Sequence, residues 1–261
     1  MTVPGSEVLL FGIPLTPQTF LIGLLIIAVT YLIKKNANNK NSGSGTRTGG
    51  SKDDAFQWIL NRRTVMVKEY IEGGKISDEE LRMILEAGNW APTHAKTEPW
   101  RFCILSSSSE IEKYLDFLED WYYNNEEELE ESDLVRFNKK LESIRQQWPY
   151  RISRVILLGM RRQSKPDKRL PEWEEICAFA MAVQNMHLMA SSMDNIGGFW
   201  SSHTWCKEAR DSSEFREEYF GSLLPDADDR VFGAFVLGKY PAGKKYTSAR
   251  TSIDSKINWR K

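Results

Sequence analysis

The run from Glu172 to Met193 constrains this chain more than any other segment. Within it, Ile176-Cys177-Ala178-Phe179-Ala180-Met181-Ala182-Val183 leaves almost no polar face. A helix that is apolar all round must be buried on every side. The sequence therefore predicts a central helix, with a second subunit as one way to cover it completely.

The shorter elements follow from local signals. Asp53-Asp54 suits the cap of a first helix, with Ala55, Phe56, Ile59 and Leu60 at helical spacing and an end near Asn61-Arg62. Ser77 and Glu80 have the Ser-x-x-Glu capping-box form, and the helix they open carries Leu81, Ile84 and Leu85 and stops near Gly88. Phe102–Leu105 and Val155–Leu158 read as short strands, and Glu110–Gln147 reads as helices. Gly197-Gly198 is expected to end the central helix, and Val231–Leu237 forms a last strand closed by Gly238. The tail to Lys261 has no core of its own and must lie over something else. This order of elements is α+β or α/β.

The N-terminus differs in kind. Leu15–Ile33 is mostly apolar and Lys34-Lys35 follow at once, which suits a membrane anchor near the lower length limit, with the body on the cytosolic side. A targeting peptide is the alternative. Residues 34–52 are Asn-, Gly-, Ser-, Thr- and Lys-rich, as in a flexible tether, so the folded body is expected over 53–261. A net charge of −1 points away from nucleic acid. Three scattered cysteines with no CxxC pair give no metal site and read as reduced thiols.

Chemistry concentrates in two places. Arg62-Arg63-Thr64 sets two guanidiniums and a hydroxyl at a helix-to-loop corner, suited to a phosphate. Ala91-Pro92-Thr93-His94 leads into Glu98-Pro99-Trp100-Arg101-Phe102, a Pro-rich turn that can lie along a flat ring. The glycine-rich nucleotide signatures are missing, so a phosphate must be held by side chains.

With those segments the body resembles the nitroreductase family of FMN-dependent oxidoreductases, from about Asp53 to the tail. Arg62-Arg63-Thr64 is similar to the family's Arg-Arg-Ser segment, with Thr64 keeping the hydroxyl. Pro92, Thr93 and His94, with Pro99-Trp100, resemble the segment that lies against the flavin of the other subunit. Gly197-Gly198-Phe199-Trp200-Ser201-Ser202 is similar to the small bacterial branch, in which this region meets the isoalloxazine. Arg250 resembles a late phosphate-binding arginine without the usual proline, so Lys244 or Lys245 remain alternatives. The resemblance implies an α+β fold with a mostly antiparallel sheet flanked by helices, and an intertwined homodimer. It also implies FMN as cofactor and NADH or NADPH as electron donor.

Under that resemblance Arg62 and Arg250 are expected on the phosphate, and Arg63 nearer the ribityl chain or ring. Trp200, Ser201 and Ser202 are expected at the ring. No side chain is a certain catalyst, because the chemistry belongs to the flavin; His94 is the candidate for a hydrogen bond or proton. His187 and His203 read as structural. The acceptor is expected to be a nitroaromatic or quinone reduced by ping-pong hydride transfer. Thr97-Glu98-Pro99-Trp100 resembles the deiodinase branch, making an iodotyrosine-type dehalogenase the alternative, with Tyr122, Tyr123, Lys139 and Lys140 available to grip a substrate. A flavin-binding membrane module without turnover is the third. Arg161, Arg162, Lys165, Lys168 and Arg169 read as a solvated loop, or as a contact for NADPH phosphate or lipid.

Overall fold

Near-continuous apolar runs, buried on both faces, build the sheet, in a computed structural model that describes residues 9–10, 13–14, 52–163 and 165–260. The chain divides into units of residues 1–52 and 53–261. In the first, strands β1 (Leu9–Leu10) and β2 (Ile13–Pro14) pair antiparallel. The expected anchor at Leu15–Ile33 and most of the 34–52 tether lie outside the described residues. Among the described residues no helix is long and apolar enough to cross a membrane.

The second unit holds strands β3 (Trp100–Leu105), β4 (Arg154–Met160), β5 (Ile196–Ser201) and β6 (Arg230–Lys239) in the order β3-β4-β6-β5. All three pairings are antiparallel, so the fold is α+β rather than α/β. In β4, Val155 and Leu157 face one core, while Ile156, Leu158 and Met160 face the other. Helices cover both faces. Helix α1 spans Lys52–Asn61, α2 Asp78–Asn89, α3 Ser108–Asn124, α4 Glu131–Arg145 and α5 Trp148–Arg151. Helix α6 spans Glu172–Ser192, α7 Lys207–Asp211 and α8 Ser213–Phe220.

The capping box at α2 forms as expected. Ser77 N–H donates to Glu80 Oε2 at 2.8 Å, and Glu80 N–H donates to Ser77 Oγ at 3.1 Å. Helix α1 instead begins at Lys52, which puts Asp53 and Asp54 inside its first turn rather than at its cap.

Two expectations for the central helix are corrected. Helix α6 ends at Ser192, and Gly197-Gly198 belongs to β5. The glycines are needed there for close approach: a Cβ on Gly197 would lie 2.6 Å from Val65 Cβ, and one on Gly198 would lie 2.8 Å from Phe235 Cζ. Nor is α6 buried all round within one chain. Phe179, Ala182, Val183, Met186 and Ala190 are buried, but Trp173 is 65% exposed and Met181 40% exposed. The apolar face of α1 is open too, with Phe56 57% and Trp58 63% exposed.

The acidic stretch is fixed in place rather than free. Tyr122 of α3 stacks on Phe137 of α4 at 3.7 Å between centroids, and Phe137 stacks in turn on Trp205 at 6.0 Å. The Tyr122 hydroxyl donates to Glu208, which also pairs with Arg136 at 2.9 Å. Tyr122 is thereby withdrawn from any grip on a substrate.

A bulge in β6 shapes the end of the sheet. Leu157 faces Ala234 while Gly159 faces Val231, so one extra residue of β6 is inserted. Gly233 takes a positive φ of 88° there, and a Cβ on it would fall on the Ser201 carbonyl. Gly243 has φ 75° but open space around it. Gly233→Ala is therefore expected to destabilise by more than about 3 kcal/mol, and Gly243→Ala by about 1 kcal/mol. Urea denaturation of the two variants checks this order.

Candidate functional site

The corner at Arg62–Thr64 is held against β5 by main-chain contacts. Thr64 bridges Gly198 in parallel, and Val65 N–H donates to the Gly198 carbonyl at 3.3 Å. Tyr70 locks this arrangement from below. Its buried hydroxyl lies 2.9 Å from the Val65 carbonyl, 3.2 Å from that of Gly197 and 3.3 Å from that of Val236. One O–H proton serves three acceptors on three segments. Burial raises the phenol far above its ordinary value, so it stays a donor. The ring packs on Gly238, where any Cβ would overlap it.

Helix α6 supports the same corner through His187. Its Nε2 lies 3.0 Å from the Arg63 carbonyl, and its Nδ1 lies 3.4 Å from an Arg62 guanidinium nitrogen. Burial first, and the neighbouring Arg62 second, pull His187 down to about 4. The ring is then neutral, with Nε2 donating to the carbonyl and Nδ1 accepting from Arg62. The expected structural role of His187 fits this geometry. His203 is likewise buried, with its Nδ1 2.9 Å from the Tyr114 hydroxyl, and burial lowers it to about 3.

Arg62, Arg63 and Arg250 form one field of positive charge. Burial lowers Arg62 below its ordinary value, and repulsion from Arg250 and then Arg63 adds to this. Among the described residues, none of the three guanidiniums pairs with a carboxylate. Arg63 donates through Nε to the Tyr246 carbonyl at 3.2 Å, and Arg250 donates to Ser248 and Ala249 of its own turn. Arg63 also borders a polar cavity of about 440 Å³ with Asn61, Ser191, Lys244, Lys245 and Tyr246. Lys244 is engaged by Glu69, whereas Lys245 has no partner among the described residues. The buried Tyr246 hydroxyl also lacks a hydrogen-bond partner there. Uncompensated cations and an orphaned hydroxyl fit a phosphate-bearing anion.

Trp200 and Ser201 lie two and three residues along β5 from the Thr64 bridge at Gly198, about 7–10 Å at strand rise. The bulge at Gly233 accompanies a bond from Trp200 Nε1–H to the Phe232 carbonyl at 2.7 Å. Phe179 lies edge-on to Trp200, with ring centroids 5.9 Å apart. Ser202 is exposed beside them, and its carbonyl accepts from Arg210.

The second expected segment sits elsewhere in the chain. Pro92 is exposed, and the Thr93 hydroxyl bonds that of Thr97 at 2.7 Å and accepts from Glu98 N–H at 3.3 Å. Ala95, Lys96 and Glu98 all have positive φ, an unusual run for non-glycine residues. His94 pairs with Glu174 at 2.5 Å, near the N-terminus of α6. Thirteen residues separate Glu174 from His187, or about 20 Å of helix. One chain therefore keeps the His94 loop and the Arg62 corner apart.

Two of the five cations of the basic loop are held in ion pairs. Arg162 meets Glu175 at 2.7 Å, and Arg169 pairs with Asp226 and with Asp228. Trp90 is exposed and donates to Glu86 at 3.0 Å. Cys103 is raised to about 11 by burial, Cys206 is buried and raised further, and Cys177 is exposed. Among the described residues no His, Cys, Asp and Glu cluster suits a metal. The sequence reading missed Tyr70 and Tyr246; the Gly197-Gly198 pair was the one signal of something pressed against β5.

Known proteins resemble this chain in sequence and in fold. The sequence model of the nitroreductase family matches residues 59–239. YdjA of Escherichia coli (strain K12), named as an NAD(P)H nitroreductase, is 25% identical over 71% of this chain and 87% of its own. A nitroreductase-like family protein from Bacillus cereus superposes with a TM-score of 0.57 at 20% identity, over 83% of this chain and 99% of its own. A nitroreductase with bound FMN from Bacteroides fragilis gives 0.54 at 20% identity, over 80% and 99%. By its sequence match over most of its length, and in keeping with its fold, the chain belongs to the nitroreductase family.

Proposed function

We propose that the chain is an FMN-dependent oxidoreductase that uses NADH or NADPH to reduce an organic acceptor of the nitroaromatic or quinone type. The observation that carries this reading is the group of three guanidiniums without a carboxylate partner among the described residues. Like charges held together favour an anion between them. The names of YdjA and of the FMN-bound Bacteroides fragilis protein support the same chemistry.

In this reading Arg62 and Arg250 hold the phosphate, with Arg63, Lys245 and the Tyr246 hydroxyl at the adjoining cavity. The Thr64 hydroxyl is exposed on the same corner to donate to it. Trp200, Ser201 and Ser202 border the ring. Pro92, Thr93 and His94 reach it from a second subunit, which answers the 20 Å gap along α6. The open apolar faces of α1 and α6 support a homodimer. Bound FMN would take a hydride from NAD(P)H and pass it on. With one solvent proton, that hydride equivalent converts a nitro group to nitroso plus water, or a quinone to hydroquinone. His94 would hold a hydrogen bond at the ring, and its contact with Glu174, which fixes the imidazole, supports that role. The apolar Leu15–Ile33 followed by Lys34-Lys35 supports a membrane tether with the body on the cytosolic side. With Tyr122 stacked and bonded in the core, no observation favours the dehalogenase.

The purified chain should carry a flavin absorbance band that bleaches anaerobically on adding NADH or NADPH; colourless protein that takes up no FMN would refute the reading. Arg62→Ala should weaken FMN about 10- to 100-fold, the value of one or two charge-assisted hydrogen bonds, and leave riboflavin nearly unaffected. Fluorescence titration with both flavins measures that difference.

A further inference from the structure

A second cavity of about 430 Å³ opens on the other side of β5 from Trp200. Met66, Trp148, Phe199 and Trp205 supply apolar walls, and Ser201 reaches its edge. Two ammonium groups border it: Lys68, just after the Arg62–Thr64 corner, and Lys140 of α4. Both lysines are exposed, and neither has an ion-pair partner among the described residues. Carboxylates are plentiful on α4 and before it, at Glu126–Glu128, Glu130 and Glu131, yet none neutralises Lys140. The stacked column Tyr122-Phe137-Trp205 fixes the wall that α4 forms.

We propose that this cavity is the acceptor subsite and that it selects a flat aromatic acceptor bearing a carboxylate. This rests on the oxidoreductase reading above and names its substrate class. The volume falls in the range of small-molecule sites. Tryptophan and phenylalanine walls suit a planar ring. Two unpaired ammonium groups at the rim favour an anionic substituent over a neutral one of the same shape. Ser201 is shared with the proposed flavin edge, so a ring in this cavity lies next to the electron source.

Equilibrium dialysis of the FMN-loaded chain with 4-nitrobenzoate and with neutral 4-nitrobenzamide tests the assignment. The benzoate should bind about 10-fold tighter, as expected for roughly 1.4 kcal/mol of ionic preference. Lys68→Gln and Lys140→Gln should each reduce that preference, and together abolish it. Nitrobenzoate KM should rise in these variants with kcat unchanged, the mark of lost ground-state binding. Equal binding of the two probes by the unaltered chain overturns the proposal, as does a preference untouched by both substitutions. Flavin that bleaches with NAD(P)H while no preference exists refutes this subsite alone. A lysine-dependent preference in protein whose flavin is not reduced by NAD(P)H refutes the oxidoreductase reading and leaves the anion site standing.

Discussion

The hydroxyl of Tyr70 is the contact on which the site depends. It ties together the Val65 carbonyl after the arginine corner, the Gly197 carbonyl of β5 and the Val236 carbonyl of β6. Three carbonyls from three segments would otherwise be brought together in a buried place with no shared donor, and leaving such groups unmade costs about 1–3 kcal/mol. Two glycines make the junction sterically possible. Gly197 admits Val65, and Gly238 admits the phenol ring. The corner is thus set by packing and by one proton, and the arginines inherit their position from it.

The proposed function rests on a concentration of positive charge at that corner without a carboxylate counterion among the described residues. His187 contributes by remaining neutral, since a charged imidazole would add a fourth cation beside Arg62. Several other arginines are neutralised: Arg162 with Glu175, Arg169 with Asp226 and Asp228, Arg136 with Glu208, Arg145 with Asp116 and Glu119, whereas Arg101 and Arg161 form a second pair without a carboxylate partner among the described residues. What distinguishes Arg62, Arg63 and Arg250 is that the trio adjoins a polar cavity that also holds Lys245 and an unpartnered Tyr246 hydroxyl. Paired arginines stabilise the fold only modestly where they are exposed, whereas unpaired ones remain available to a ligand.

Much of this was legible in the sequence because it depends on local pattern. The Ser77/Glu80 box, the apolar run of α6 and the Val- and Phe-bearing Val231–Leu237 strand each announce their element. The arginine corner was legible as a local concentration of positive charge. What escaped was set by distant partners. Gly197-Gly198 looked like a helix stop because the need for space beside Val65 and Phe235 is visible only once those residues have been folded against β5. Tyr70 and Tyr246 carried no motif, being important only through carbonyls and guanidiniums far along the chain. The all-round burial expected of α6 failed within one chain because helix periodicity reports what must be covered, not what covers it.

The most direct test replaces Tyr70 by Phe, which keeps the ring on Gly238 and removes only the shared hydroxyl. The account predicts a loss of about 1–3 kcal/mol in urea-denaturation stability together with weaker FMN binding, although every arginine is still present. A Tyr70→Phe chain as stable as the parent, with unchanged FMN affinity, would show that the corner is held by something else.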